Sequence, residues 1–166
     1  MTFLLSSGYW LVGDDMERKK RVNVVRLKAV EVVKEGSIQY LPRKIASPRD
    51  CVDLVRKHID DSDREIFLVI TLNTKNQPTA IQTVSIGSLN ASIVHPREVF
   101  KLAILSNSAS IIVAHNHPSG NPFPSSEDKE ITKRLCDAGK LLGMKVLDHI
   151  ITGGDDYYSF QENEGI

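Results

Sequence analysis

Two short runs of this 166-residue chain, Glu65 to Asn73 (EIFLVITLN) and Ser110 to Ala114 (SIIVA), are apolar and rich in β-branched residues. Runs of that length and composition read as strands buried inside a sheet. What lies between them limits the fold further. Thr74 to Pro78 supplies a turn, and TAIQTVSIG (79–87) reads as the hairpin partner of the first run. Pro96 to Leu105 then carries Val99, Leu102 and Ala103 behind a proline start, which predicts a helix. An antiparallel hairpin followed by a helix and another buried strand points to a mixed α/β sandwich rather than a doubly wound parallel sheet.

The rest of the chain extends this pattern. Ser47-Pro48 reads as an N-cap and first helical residue, and Val52, Val55 and Ile59, with Leu54, predict a helix to about Asp60. Ile131, Leu135, Ala138, Leu141 and Leu142 give the apolar face of a helix that begins after Ser125 and stops at Gly143. KVLDHIIT (145–152) is a strand, and Tyr157 to Phe160 a last short one. Val22 to Val33 alternates broadly, with a return strand expected over Ser37 to Leu41. Residues 1–45 are therefore taken as a leader and strand-forming extension, and 46–166 as the main domain. The apolar stretch Phe3 to Val12 has no basic flank and is too short to span a bilayer, so a natural start at Met16 is one reading of this region.

Charge narrows the function. Lys+Arg and Asp+Glu both number 21, without the basic excess of most nucleic-acid binders. Cys51 and Cys136 stand far apart and form no CxxC. They cannot build a cysteine zinc site and are read as reduced thiols of a cytoplasmic protein.

The chemistry concentrates in HNHPSGNPFPSSED, residues 115–128. His115 and His117 flank one residue at a strand end, where side chains two apart share a face. Two imidazoles so placed can reach one ion, and the loop can return Asp128 to it. Two histidines and a carboxylate leave a fourth position open for water, which is the composition of a catalytic zinc site. A plainer reading stands beside it: Ser125 and Asp128 have capping-box spacing.

His-x-His, seven residues, Ser, two residues, Asp is the signature of the JAB/JAMM (MPN) metallopeptidases. VHPREVF (94–100), the Pro-Ser-Gly after His117 and LLGMKVLDHIITGGDDYYSF (141–160) most closely resemble the RadC branch of that family. The resemblance covers roughly Ser47 to Glu162. It implies a JAB/MPN-like, cytidine-deaminase-like mixed sheet sandwiched by helices, and one Zn2+ per chain on His115, His117 and Asp128. It also implies hydrolysis of an amide or isopeptide bond in a peptide or protein substrate by a zinc-bound water. Glu65 is the best match to the family's general base, with Glu98 and Glu127 as competitors and a solvated charge on the turn as the plainer reading. Ser125 would donate to the oxyanion, unless its hydroxyl only caps the helix. Asn116 stands where deubiquitinating members commonly carry serine. His58, His95 and His149 are read as packed or structural, with support of a metal ligand as a lesser possibility for His149.

The alternative is a DNA-repair-associated protein or a metal-dependent nuclease, since RadC proteins carry that historical label. Met1 to Ala46 shows no helix-hairpin-helix pattern of the kind many members bear, and the balanced charge also favours the peptidase reading. A zinc deaminase would need HxE and PCxxC, which are missing. No membrane partner is expected; a homo-oligomer is compatible with the sequence.

Overall fold

The computed structural model describes residues 34–40, 43–59, 62–87 and 94–166. The strand expected over 22–33 and the leader lie outside them. Residues 37–40 run without regular structure where a return strand was expected; Leu41 is outside the described residues.

Helix α1 (Pro48–Ile59) is followed by the hairpin β1 (Ile66–Leu72) and β2 (Pro78–Ile86). Then come α2 (Pro96–Leu105), β3 (Ser110–Asn116), α3 (Ser126–Leu142), β4 (Lys145–Gly153), β5 (Asp156–Ser159) and the single turn α4 (Phe160–Asn163). The strands form one sheet in the order β2-β1-β3-β4-β5. β3 and β4 are parallel and the other pairs antiparallel, as expected for a parallel pair joined through a helix and hairpins joined by turns. The mixed α/β architecture anticipated from the sequence is the one observed, and it is consistent with a JAB/MPN-like fold.

Local chemistry sets the element ends. Asp50 accepts from the backbone N–H groups of Ala46 and Ser47, closing the start of α1. In the β1–β2 turn, the Asn73 side chain accepts from the N–H groups of Lys75 and Gln77, and Asn76 takes the left-handed φ of 55° that asparagine tolerates. Ser125 caps α3, and Gly143 ends it at φ 69°.

Successive β1 and β3 residues alternate between two layers. Leu68, Ile70, Leu72, Ile112 and Ala114 pack with Val52, Leu54, Val55 and Ile59 of α1. Phe67, Val69, Ile111 and Val113 pack with Val99, Phe100 and Ala103 of α2 and Ile131 and Leu135 of α3. The sheet is thus sandwiched, with α1 on one face and α2 and α3 on the other.

Two expectations need correction. Leu141 and Leu142 were assigned to the apolar face of α3, yet both are exposed. The buried stripe runs Asp128, Ile131, Thr132, Leu135, Gly139 and ends there. A Cβ on Gly139 would lie 2.4 Å from the Met144 carbonyl oxygen, so the chain already folds back over this turn and leaves the next residues outside. The last strand stops at Ser159 rather than Phe160, because the Ser159 hydroxyl accepts from Glu162 N–H and starts α4.

Candidate metal centre

His115 lies on β3 opposite Phe67 of β1 and Ile151 of β4. Period-2 alternation puts it on the α2/α3 face, in line with Val113 and Ile111. His117 follows the strand end, where its N–H donates to the Thr152 carbonyl at 2.7 Å. The loop then closes back, Gly120 N–H donating to the His117 carbonyl. It seats on Gly153, where a Cβ would lie 2.8–2.9 Å from backbone atoms of Gly120, Asn121 and Pro122. Only glycine permits that approach. Ser125 then starts α3, which brings Asp128 over His115.

Three donor atoms converge. His115 Nε2 lies 3.0 Å from His117 Nε2 and 3.2 Å from Asp128 Oδ1, and His117 Nε2 lies 3.5 Å from Asp128 Oδ2. Among the described residues, His115, His117 and Asp128 are the group that could hold a metal ion, with ligand atoms within 4.8 Å of one another. Bonds of 2.0–2.1 Å to a tetrahedral zinc would set ligand atoms roughly 3.4 Å apart, close to the spacings found. The donor chemistry also fits. The Asn121 carbonyl can only accept, and it lies 2.7 Å from His117 Nδ1. Neutral His117 therefore carries its proton on Nδ1 and turns a bare Nε2 inward. A bare nitrogen beside a buried carboxylate requires a cation or a proton between them.

The electrostatics follow from that crowding. Burial pushes Asp128 up, but His115, His117 and the Ser125 hydroxyl outweigh it and hold the carboxyl well below its ordinary range. Asp128 raises His117 against a smaller effect of burial. Burial wins at His115, which is lowered despite Asp128. Glu65 favours the charged form of both imidazoles.

Glu65 immediately precedes β1 and is half-buried. It lines an open cleft of about 370 Å³ with Asp63, Arg64, Gly87, Pro118 and Ser119. Its backbone is held from two sides: its own carbonyl accepts from Gly87 N–H at 2.9 Å. The Asn116 amide accepts from Ile66 N–H at 2.7 Å and donates to the Arg64 carbonyl at 2.9 Å, bracketing Glu65. The competitors sit elsewhere. Glu98 pairs with Arg97 and Lys101 on the surface of α2. Glu127 is exposed and accepts from Ser126.

Ser125 forms the complete capping box: its Oγ accepts from Asp128 N–H at 3.2 Å, and Asp128 Oδ2 accepts from Ser125 N–H at 2.8 Å. The hydroxyl proton also goes to Asp128 Oδ2, at 2.6 Å. Helix capping and orientation of the Asp128 carboxylate are here one hydrogen-bond set.

Sequence reasoning weighed one residue near His115 as a lesser possibility and missed another. His149, read as a packed histidine, is fully buried and stacks on Phe160, and its Nε2 lies 2.9 Å from His115 Nδ1. Thr132, not singled out at all, lies 2.6 Å from His149 Nδ1. Only pairing register could have shown this: Val113 stands opposite His149 on β4, which turns that histidine to the face of His115. His58 contacts Thr83, and His95 caps α2 through its backbone alone, both remote from the triad in role. Cys51 is buried and Cys136 half-buried, both as free thiols pushed up by burial. Among the described residues no helix is long and apolar enough to cross a membrane.

Comparison with known proteins identifies the family. The model of the RadC-like JAB domain matches residues 45–166. The chain is 48% identical over 155 residues to a UPF0758 protein of Alkaliphilus metalliredigens (strain QYMF), covering 90% of this chain and 67% of that protein. It is 54% identical over 117 residues to one of Desulforamulus reducens, covering 70% of this chain and 52% of the other. For a UPF0758 protein of Methanosarcina acetivorans the identity is 53% over 128 residues, 77% of this chain and 56% of the relative. The chain thus spans about half to two thirds of the length of these relatives. With its matched region covering the whole sandwich and the histidine loop, the chain belongs to the RadC-like JAB domain family.

Proposed function

We propose that the domain is a zinc-dependent hydrolase of amide or isopeptide bonds, with His115, His117 and Asp128 as the metal ligands. The observation that carries this is the convergence of two imidazole nitrogens and a buried carboxylate at near-tetrahedral spacing beside an open cleft. Zinc at such a site supplies a Lewis acid and lowers the pKa of water to about 7. The protein supplies the rest. Glu65, on the cleft side of the triad, takes the proton of the attacking water and returns it to the leaving nitrogen. Asn116 fixes the backbone on both sides of Glu65, so the carboxylate approaches from a set direction. The Ser125 hydroxyl, already in contact with a ligand, exchanges its Asp128 acceptor for the developing oxyanion.

Elemental analysis of protein purified without added metal tests the ligand set. About one zinc per chain is expected, with most of it lost in His117→Ala; full zinc content in that variant removes His117 from the site. Glu65→Gln separates ligand from base. It should keep its zinc and lose ~10²–10⁴-fold of the turnover of any fluorogenic peptide or isopeptide the parent cleaves. Loss of metal would make Glu65 a ligand, and retention of both metal and activity would place the base elsewhere.

A further inference from the structure

One hydrogen-bond path leaves the back of His115 and ends on another member of the same triad. His115 Nδ1 lies 2.9 Å from His149 Nε2, His149 Nδ1 lies 2.6 Å from Thr132 Oγ1, and Thr132 Oγ1 donates at 2.6 Å to the backbone carbonyl of Asp128. The path is buried throughout. His115 differs from His117 here. A backbone carbonyl fixes the His117 proton directly, whereas the neighbour of His115 is another imidazole, able to donate or accept.

The ambiguity resolves from the far end. A carbonyl oxygen only accepts, so the single Thr132 proton points at Asp128. The Thr132 lone pair then faces His149, and Nδ1 of His149 must carry hydrogen. Both His149 nitrogens meet uncharged partners inside the core, so the ring is neutral and holds one proton. Its Nε2 is bare and accepts from His115. We propose that Thr132 and His149 are positioning residues that lock His115 in the Nδ1–H tautomer, so that its bare Nε2 faces the centre of the triad. The inference rests on the metal reading for its purpose and on hydrogen-bond direction for its content. Thr132 is i+4 from Asp128, so one turn of α3 supplies a ligand by side chain and the reference acceptor by backbone.

The test compares Thr132→Val, which keeps the shape and removes the hydroxyl, with Thr132→Ser, which restores it. In Thr132→Val the Nδ1 proton of His149 has no acceptor, so the ring can protonate on Nε2 and force the His115 proton toward the metal position. Zinc affinity, measured by chelator competition, should fall about 10–100-fold in Thr132→Val and stay near the parent value in Thr132→Ser. Long-range 15N–1H correlation spectra of the metal-free protein give a readout that packing alone would not move. They are recorded about two pH units above the ordinary histidine value, and the parent and Thr132→Ser should show His115 and His149 both protonated on Nδ1. Thr132→Val should show a mixture. The parent spectrum needs no variant, so a poorly folded Thr132→Val leaves the test standing. A parent His115 protonated on Nε2 and bare at Nδ1 overturns the proposal, as does a Thr132→Val that keeps both tautomer and affinity. If zinc binds while His115 has the wrong tautomer, the chain fails and the metal reading survives. If the tautomers are as stated and the parent binds no zinc, the metal reading fails and the locking role fails with it.

Discussion

On the α1 face of the sheet, Leu68, Ile70 and Ile150 close against Val52, Val55 and Ile59, aliphatic on aliphatic. On the opposite face, near the start of α3, the corresponding space is filled by His115, His149, Thr132 and Asp128, all buried. Neighbouring residues of the same strands feed both layers, so the difference is one of chemistry. Hydrocarbon packs without regard to direction, and its contribution grows with area. Each imidazole must instead find a donor or acceptor in the right orientation, or the buried group costs about 1–3 kcal/mol. The aromatic rings adjoining this corner meet the histidines by stacking, Phe67 on His115 and Phe160 on His149, leaving the ring nitrogens to point along the hydrogen-bond path. The α1 face supplies cohesion alone, and this corner of the other face adds direction to it.

That division can be broken by experiment. The largest expected effect is on the α1 face: Leu68→Ala should destabilise the protein by about 2–5 kcal/mol in urea unfolding while leaving zinc affinity of the folded protein unchanged. A parallel fall in affinity would show that the two faces are mechanically coupled.

The next effect is specific to the other face. Burial lowers His115 and His149 below the ordinary 6.5. Between the folded-state values and 6.5, the unfolded chain binds protons that the folded chain refuses. Their contribution to metal-free stability is therefore complete above 6.5 and declines as pH falls. His117 has the opposite sign: it is raised, chiefly by Asp128, and its contribution is present below 6.5 and lost as pH rises through the raised value. The two windows lie on opposite sides of 6.5, so below it the lowered groups alone set the slope, a loss on acidification of up to about 1.4 kcal/mol per pH unit for each proton refused. Urea titrations from about pH 7 to about pH 5.5 should show this, and His149→Gln should flatten the slope. An unchanged slope would mean that His149 does not refuse its proton.

Smallest is the cap. Ser125→Ala should cost about 1 kcal/mol of stability and weaken zinc binding modestly, because the same hydroxyl holds Asp128 Oδ2. A stability loss with no change in zinc affinity would reduce Ser125 to capping alone.

Much of this was legible in the amino-acid order. Pro48, Pro96, Ser125 and Gly143 mark helix ends through backbone chemistry that is local, and the observed helices begin or end there. The histidine pair and Asp128 fall within one short loop and helix start, so the triad could be assembled from spacing. What could not be read depended on distant pairing. Asn116 reaches Arg64 and Ile66, and His149 reaches His115, only because β3 lies between β1 and β4. The register shift between Ile111 and Ile112 against β4 decides which of Asp148 and His149 faces α3, and nothing in residues 145–152 announces it. Leu141 was misplaced because periodicity describes a helix without saying where its neighbour ends.

The burial of the triad is graded: the His115 and Asp128 side chains are 0% and 2% exposed, and His117 is 14% exposed. Only the His117 side faces outward, next to Pro118, Ser119 and Glu65 along the cleft. Under the proposed function, an ion arriving from solution and a scissile bond would use the same doorway. Occupancy of that doorway would govern traffic in both directions. A bound peptide should slow escape of the metal, and a small chelator should act first as a competitor for the substrate's place and only then as a stripping agent. Metal retention would then report on whether the cleft is filled, even before any product is seen.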